Sequence, residues 1–113
     1  MKEKIQNKNL GVFDSGIGGL TVVSQIMKEL PNENIVYFGD TARVPYGAKS
    51  EQVIIDYSIQ IANFLMSKNI KMLIVACNTA TSVALDVLTS KYDIPVIGVI
   101  KPGAEAAAVT TKI

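Results

Sequence analysis

Four short, continuous apolar runs constrain the fold of this chain more than any other feature of its sequence. Each run has four or five residues, which is the length and pattern of a strand buried on both faces of a sheet. The runs are Leu10–Phe13, Ile35–Phe38, Met72–Ala76 and Val96–Ile100. Such strands are typical of parallel sheets, whose two faces are covered by helices. The sequence therefore predicts a sheet of four parallel strands.

The segments between the runs have helical spacing. Apolar residues recur at steps of three and four over Leu20–Leu30, and Pro31 ends that segment. A second helix is predicted over Ser50–Lys68, with Ser50 as its N-cap and Asn69 at its exit. A third is predicted over Thr79–Lys91. Strands that alternate with helices in this way predict a doubly wound α/β fold, flavodoxin-like, with the strand order 2-1-3-4.

Composition limits the chemistry and the partners. The chain has 113 residues, 49% of them hydrophobic, enough for one core and too few for two. A net charge of +1 without a basic block argues against nucleic-acid binding. One Cys and no His exclude a structural zinc site, a disulfide and a His-based triad within this chain. No stretch approaches the roughly 18 apolar residues of a membrane span, so we expect a cytoplasmic protein whose thiol stays reduced.

Ligands of an open parallel sheet bind beyond the carboxyl ends of its strands. Three loops lie there in the predicted fold, at residues 14–19, 39–47 and 77–80. With the order 2-1-3-4, the first and third loops meet where the strand order reverses. Asp14 and Cys77 would then face one cleft.

The first loop allows two interpretations. Its three glycines let backbone amides approach an anion at a helix N-terminus, where phosphate or carboxylate would fit. Alternatively, they form a tight strand-to-helix turn that Asp14 caps. The loop lacks the third glycine of a dinucleotide fingerprint and the Lys-Ser/Thr pair of a P-loop.

Cys77 also allows two interpretations. After an apolar strand it is a small buried side chain of the core. At the start of a helix it is a thiol whose thiolate the helix dipole stabilises, with Asn78 and Thr79 beside it to hold a ligand.

The second loop contains further polar candidates. Arg43 could clamp a carboxylate or be a solvated charge, and Asp40 could cap a turn or belong to the site. Tyr46 and Gly47 could form a plain turn or place a phenol and a backbone amide over the cleft.

Three segments together resemble the glutamate racemase family. They are Gly11–Val22, Asp40–Gly47 and Ala76–Ala80, in the family's order and at its spacing. The resemblance runs from about Asn9 to Pro102, and three linked motifs are far more specific than any one of them.

The resemblance implies a cofactor-independent isomerase that interconverts L- and D-glutamate. Such an enzyme supplies D-glutamate for peptidoglycan, and so for cell wall biogenesis and cell shape. Carried over to this sequence, Cys77 would be one of two catalytic cysteines that donate or accept the α-proton, and Asp14 would assist it. The residues implied to contact glutamate are Asp14, Ser15, Tyr46, Gly47, Asn78 and Thr79. The resemblance assigns Arg43 no substrate role and implies a homodimer for the whole enzyme.

Racemisation without a cofactor needs an acid–base group on each face of the α-carbon. In the family, the second cysteine comes from a Cys-Thr-His segment in a second α/β domain, whereas this chain has one Cys. We therefore expect an N-terminal portion that is inactive alone. Residues 1–98 would form an incomplete first domain, and residues 99–113 the crossover and the start of a second domain. The alanines of residues 104–109 favour a helix there.

Two alternatives remain open at this point. One is a related racemase that acts on aspartate or hydantoins. The other is a non-catalytic, anion-binding module of flavodoxin-like form that uses only the first loop and its helix terminus.

Overall fold

The computed structural model describes residues 8–16, 19–43, 45–99 and 109–112. Strands and helices alternate along most of the chain. In chain order they are β1 (Asn9–Asp14), α1 (Gly19–Glu29), β2 (Ile35–Gly39), α2 (Glu51–Met66), β3 (Ile70–Val75), α3 (Asn78–Lys91), β4 (Val96–Val99) and β5 (Val109–Lys112). Two single 3₁₀ turns, Thr41–Arg43 and Tyr46–Ala48, lie between β2 and α2.

The strands form one sheet in the order β2-β1-β3-β4-β5. The first four are parallel, which confirms the predicted 2-1-3-4 arrangement. β5 pairs antiparallel with β4, and it was not predicted because Val109–Lys112 is not an apolar run. Residues 104–108 of the predicted last helix lie outside the described residues, and its final residue, Val109, is the first residue of β5.

Local sequence signals explain where α2 begins and ends. Ser50 caps its start, since the Ser50 hydroxyl accepts a hydrogen bond from the backbone N–H of Val53 at 3.2 Å. Asn69 lies three residues beyond the helix with a φ of 60°, the left-handed conformation that asparagine tolerates better than most residues. The N-cap and exit residues predicted from sequence are both confirmed.

The hydrophobic core lies mainly between the sheet and the pair of helices α2 and α3. α2 connects β2 to β3, and α3 connects β3 to β4. Because both connections run in the same direction along the sheet and are right-handed, the two helices lie on the same face. The fully buried side chains of this cluster include Phe13, Leu65, Leu73, Val75, Leu88 and Val96. No helix among the described residues has the length and apolarity needed to cross a membrane.

The remaining helix, α1, is less covered within the described part of the chain. The apolar spacing predicted a buried face that includes Leu20, Met27 and Leu30. These three side chains are 67%, 59% and 49% exposed, and Gly19 is the buried residue of the helix. The spacing of apolar residues correctly predicted the helix, but the described residues do not bury its whole apolar stripe.

Close contact between α3 and β4 depends on Gly98. A Cβ atom at this position would lie 2.5 Å from Cγ2 of Thr81 and 3.0 Å from Cδ2 of Leu85. The absence of a side chain at Gly98 therefore lets α3 pack directly on the strand.

We expect Gly98→Ala to destabilise the chain by about 1–3 kcal/mol, because the added methyl group overpacks this contact. The free energy of urea-induced unfolding measures the effect. Gly47→Ala is the matched control, since a Cβ there would meet nothing within 4 Å, and its change should stay within about 0.5 kcal/mol. Equal changes for the two variants would contradict this account of the α3–β4 contact.

Candidate active site at the strand ends

Backbone hydrogen bonds bring the three candidate loops together at the carboxyl edge of the sheet. The N–H of Asp40 donates to the carbonyl of Asp14 at 2.9 Å, which joins the loops after β1 and β2. On the other side, the N–H of Ala76 donates to the carbonyl of Phe13 at 2.8 Å. The chain segments that carry Asp14 and Cys77 therefore leave the sheet side by side, as the strand order predicted.

Asp14 is fully buried at the end of β1, and its carboxylate caps the start of α1. Its Oδ2 atom accepts hydrogen bonds from the backbone N–H groups of Gly16 and Gly19, at 3.0 and 2.9 Å. Gly16 has a φ of 109° and approaches Thr41 so closely that a Cβ would lie 2.8 Å from Thr41 Cγ2. The first loop is therefore a capped turn whose Gly16 and Gly19 amides already bind a carboxylate of the chain itself.

The two oxygens of this carboxylate differ. Whereas Oδ2 of Asp14 has donors, Oδ1 is buried and has no hydrogen-bond partner among the described residues. A buried carboxylate oxygen without a donor is costly, which makes Asp14 a group of functional interest. Ser15, the next residue, is also buried.

Cys77 is the N-cap of α3. Its sulfur accepts a hydrogen bond from the backbone N–H of Ala80 at 3.4 Å, and the side chain is 7% exposed. The thiol therefore lies at the positive end of the helix dipole, which favours negative charge there. It also packs within the hydrophobic core cluster, so both interpretations of this residue describe part of its environment. Asn78 is exposed and Thr79 is half-buried in the first turn of α3.

Tyr46 is buried beside this thiol, and its phenol does not extend over the cleft. The Tyr46 hydroxyl donates to Oδ2 of Asp40 at 2.5 Å. The pKa of Tyr46 is raised well above its ordinary range, first by burial and then by the hydrogen bond and negative charge of Asp40 and by the charge of Cys77, while Arg43 acts in the opposite direction. Gly47, the next residue, is exposed.

Arg43 is bound to α2 and does not extend freely into solvent. Its guanidinium lies 4.0 Å from the ring centroid of Tyr57, and Nη2 donates to Oε1 of Gln60 at 2.9 Å. Nη1 lies 3.7 Å from Oδ2 of Asp40. Neither the substrate clamp nor the solvated charge considered for Arg43 describes this arrangement. It holds the second loop against α2.

A surface pocket of about 210 Å³ lies on this side of the molecule. Its lining residues are Phe38, Asp40, Arg43, Gln60, Ile61 and Phe64. Neither Asp14 nor Cys77 belongs to this set, so the pocket is separate from the strand-end residues that carry the candidate chemistry.

Sequence reasoning missed Tyr37 and left the role of Asp40 undecided. Tyr37 belongs to the apolar run that predicts β2, yet its hydroxyl lies 3.4 Å from Oδ2 of Asp14 and donates to it. The parallel pairing of Val12 with Tyr37 is the signal that places this phenol near the end of β1.

Among the described residues, no group of three or more His, Cys, Asp or Glu side chains could hold a metal ion.

These features define a class of protein: a parallel α/β domain of flavodoxin-like strand order, with a buried carboxylate and an N-capping thiol at neighbouring strand ends. No family model matches the chain. Curated proteins do match it. The chain is 56% identical over 105 residues to the glutamate racemase of Geobacter metallireducens, and 60% identical over 104 residues to that of Persephonella marina.

Solved structures agree with the sequence comparison. Glutamate racemase from Thermus thermophilus, in complex with β-chloro-D-alanine, has a TM-score of 0.83 and 48% identity over 89% of this chain. The Francisella tularensis enzyme in complex with D-glutamate has a TM-score of 0.78 and 50% identity over 82% of this chain.

By sequence and by fold, the chain is similar to one portion of the glutamate racemases. The two sequence matches include 92–93% of this chain. They include only 39–40% of the length of the two relatives. The matched solved structures are likewise covered to 40% and 36% of their chains. The similarity therefore concerns one α/β portion of those proteins.

The buried hydrogen bond of Tyr46 predicts a pH dependence of stability. Because the folded-state pKa of Tyr46 is raised above the ordinary value of about 10, the unfolded chain loses this proton at lower pH than the folded chain. The stabilisation is complete below about pH 10 and falls above it, by about 1.4 kcal/mol per pH unit.

Tyr46→Phe should remove this one contribution to the alkaline decline. It should also reduce stability at pH 7 by about 1–3 kcal/mol, since the buried Oδ2 of Asp40 loses its donor. Urea unfolding between pH 7 and 12 measures both effects. Identical slopes for the variant and the parent chain above pH 10 would contradict the prediction.

Proposed function

We propose that this chain provides one half of the active site of a glutamate racemase that uses no cofactor. The observation that carries the proposal is the pair of groups at adjacent strand ends, the buried carboxylate of Asp14 and the N-capping thiol of Cys77, in a relative of glutamate racemases. In this proposal the substrate is glutamate and the reaction is inversion at its α-carbon.

The thiol of Cys77 is the proposed acid–base group for one face of the substrate. As a thiolate it takes the α-proton, and the electron pair of the broken C–H bond stays on the substrate as a carbanion with enolate character. A second group then gives a proton to the opposite face of the same carbon. In the reverse direction the neutral thiol of Cys77 is the proton donor.

Asp14 is the proposed assistant of Cys77. Its carboxylate is held by two amides at the start of α1, so its orientation is set before substrate binds. The segment that carries Asp14 leaves the sheet beside the segment that carries Cys77, which places this carboxylate next to the proposed proton carrier.

The proposed substrate contacts surround these two groups. Ser15 follows Asp14 directly, and Asn78 and Thr79 form the first turn of α3, where backbone N–H groups and the helix dipole favour a carboxylate. In the second loop we assign the contact to the backbone of Tyr46–Gly47, because the Tyr46 hydroxyl is already bonded to Asp40.

The second acid–base group is proposed to lie outside this chain. With one Cys and no His, the chain has a single thiol for a reaction that needs two opposed groups. We assign residues 1–98 to the first α/β domain and residues 99–113 to the connection toward a second domain. We also propose that the whole enzyme is a homodimer.

Supply of D-glutamate for peptidoglycan is the proposed role in the cell. It would place the enzyme in the cytoplasm, in cell wall biogenesis and the maintenance of cell shape. The anion-binding module is less favoured, because the Gly16 and Gly19 amides that it would use donate to Asp14. An aspartate or hydantoin racemase is less favoured, because the named relatives are glutamate racemases.

The chain by itself should show no measurable glutamate racemisation, because one thiol cannot serve both faces of the α-carbon. Polarimetry with L-glutamate, and separately with D-glutamate, measures this at a protein concentration at which a complete racemase gives a clear signal. Robust turnover by the isolated chain would contradict the two-domain proposal.

In the complete enzyme, Cys77→Ser should reduce turnover by roughly 10³-fold or more, while the fold persists. Serine is itself a preferred N-cap, so the hydroxyl can replace the sulfur as acceptor for the N–H of Ala80. Racemisation rates test the chemistry, and circular dichroism with thermal unfolding tests the fold. Retained activity in a folded variant would show that Cys77 is not the proton carrier.

A further inference from the structure

Tyr37 reaches the catalytic edge of the sheet by folding its ring along β2. Tyr37 and Gly39 are two residues apart on one strand, so they lie on the same face of the sheet. A Cβ at Gly39 would lie 2.8 Å from the Tyr37 hydroxyl and 3.3 Å from two ring carbons. The ring therefore lies across Gly39 and delivers its hydroxyl to Asp14, the strand partner of Gly39.

In the described part of the chain, all hydrogen-bond donors to the Asp14 carboxylate donate to one of its two oxygens. The hydroxyl of Tyr37 at 3.4 Å joins the N–H groups of Gly16 and Gly19 at Oδ2, while Oδ1 has no partner there. Three donors on one oxygen restrict the orientation of the carboxylate, and they leave Oδ1 as the oxygen that can act on another group.

We propose that Tyr37 is a positioning residue for the reaction: its hydroxyl completes the set of donors that holds Oδ2 of Asp14 and so directs Oδ1 toward the reacting groups. Gly39 contributes to this positioning, because it provides the space that the ring of Tyr37 needs. The inference rests on the proposed function, in which Asp14 assists Cys77.

The phenol is suited to a donor's role at neutral pH. The pKa of Tyr37 is raised from its ordinary value, first by burial, then by the negative charge of Asp14 and the hydrogen bond to it. The hydroxyl therefore keeps its proton, and its hydrogen bond to Asp14, throughout the range in which the enzyme would work.

The first experiment uses the chain itself and does not depend on activity. With ¹³Cζ-labelled tyrosine, NMR follows the titration of Tyr37 in the parent chain and in Asp14→Asn. Loss of the negative charge should lower the pKa of Tyr37 toward its ordinary value. Tyr92 is the internal control, because burial, and not the charge of Asp14, raises the pKa of that phenol. An unchanged Tyr37 titration would overturn the proposed contact.

The second experiment measures the kinetics of the complete enzyme. Tyr37→Phe should lower kcat about three- to tenfold and leave KM within about twofold, since the lost hydrogen bond orients a catalytic group and does not bind substrate. Tyr92→Phe is the matched control, because that hydroxyl donates to Asn63 on α2 and not to the strand-end loops. Equal kcat values for the two variants would overturn the proposal.

A double-mutant cycle adds a test that does not depend on one variant. Gly39→Ala should displace the Tyr37 hydroxyl and lower kcat by a similar factor. Because both changes act through the same hydrogen bond, Tyr37→Phe/Gly39→Ala should be no slower than the slower single variant. If the two reductions in kcat multiply in the double variant, Tyr37 and Gly39 do not act through the same hydrogen bond, and the proposal is overturned.

The two levels of inference fail in different ways. If the unsubstituted complete enzyme does not racemise glutamate, the proposed function is wrong, and the NMR titration still decides whether Tyr37 and Asp14 are coupled. If the enzyme racemises glutamate but Tyr37→Phe matches Tyr92→Phe, the function stands and the positioning role of Tyr37 is wrong.

Discussion

The hydrogen bonds to the buried carboxylate of Asp14 are the interactions on which the carboxyl edge of the sheet depends. Asp14 ends β1, caps α1 through Gly16 and Gly19, and receives the hydroxyl of Tyr37 from β2. A carboxylate in a fully buried position is stable only where donors surround it, because desolvation of an unpaired charge costs several kcal/mol. The tight, glycine-rich turn after β1 is therefore explained by the need to bring backbone amides to this one oxygen.

Cys77 has a similar double role at the end of β3. As an N-cap it stabilises the start of α3, and as a buried thiol it contributes to the core. Both roles constrain the position of the sulfur, which is what the proton transfer proposed for Cys77 requires. The structural role of Cys77 is therefore compatible with the proposed chemical role, since the packing orients the sulfur.

Much of the fold could be predicted from the sequence because local signals agree with tertiary packing. The apolar runs predicted β1 to β4, and Ser50 and Asn69 marked the ends of α2 through capping and backbone preference. The exposure of Leu20 and Met27 on α1 could not be predicted, since spacing identifies an apolar face but not what covers it. Nor could β5, whose pairing with β4 depends on a partner strand and not on its own pattern.

For the candidate site, the sequence by itself determined the residue types and their places at strand ends: a carboxylate after β1, a thiol after β3, and glycines where the chain must turn. Only the tertiary structure decided which oxygen of Asp14 is held, that Tyr46 donates to Asp40, and that Arg43 lies on Tyr57. The reason is physical. A strand's end follows from local pattern, whereas a side-chain hydrogen bond between residues on different elements exists only after packing has set the distance and angle between them.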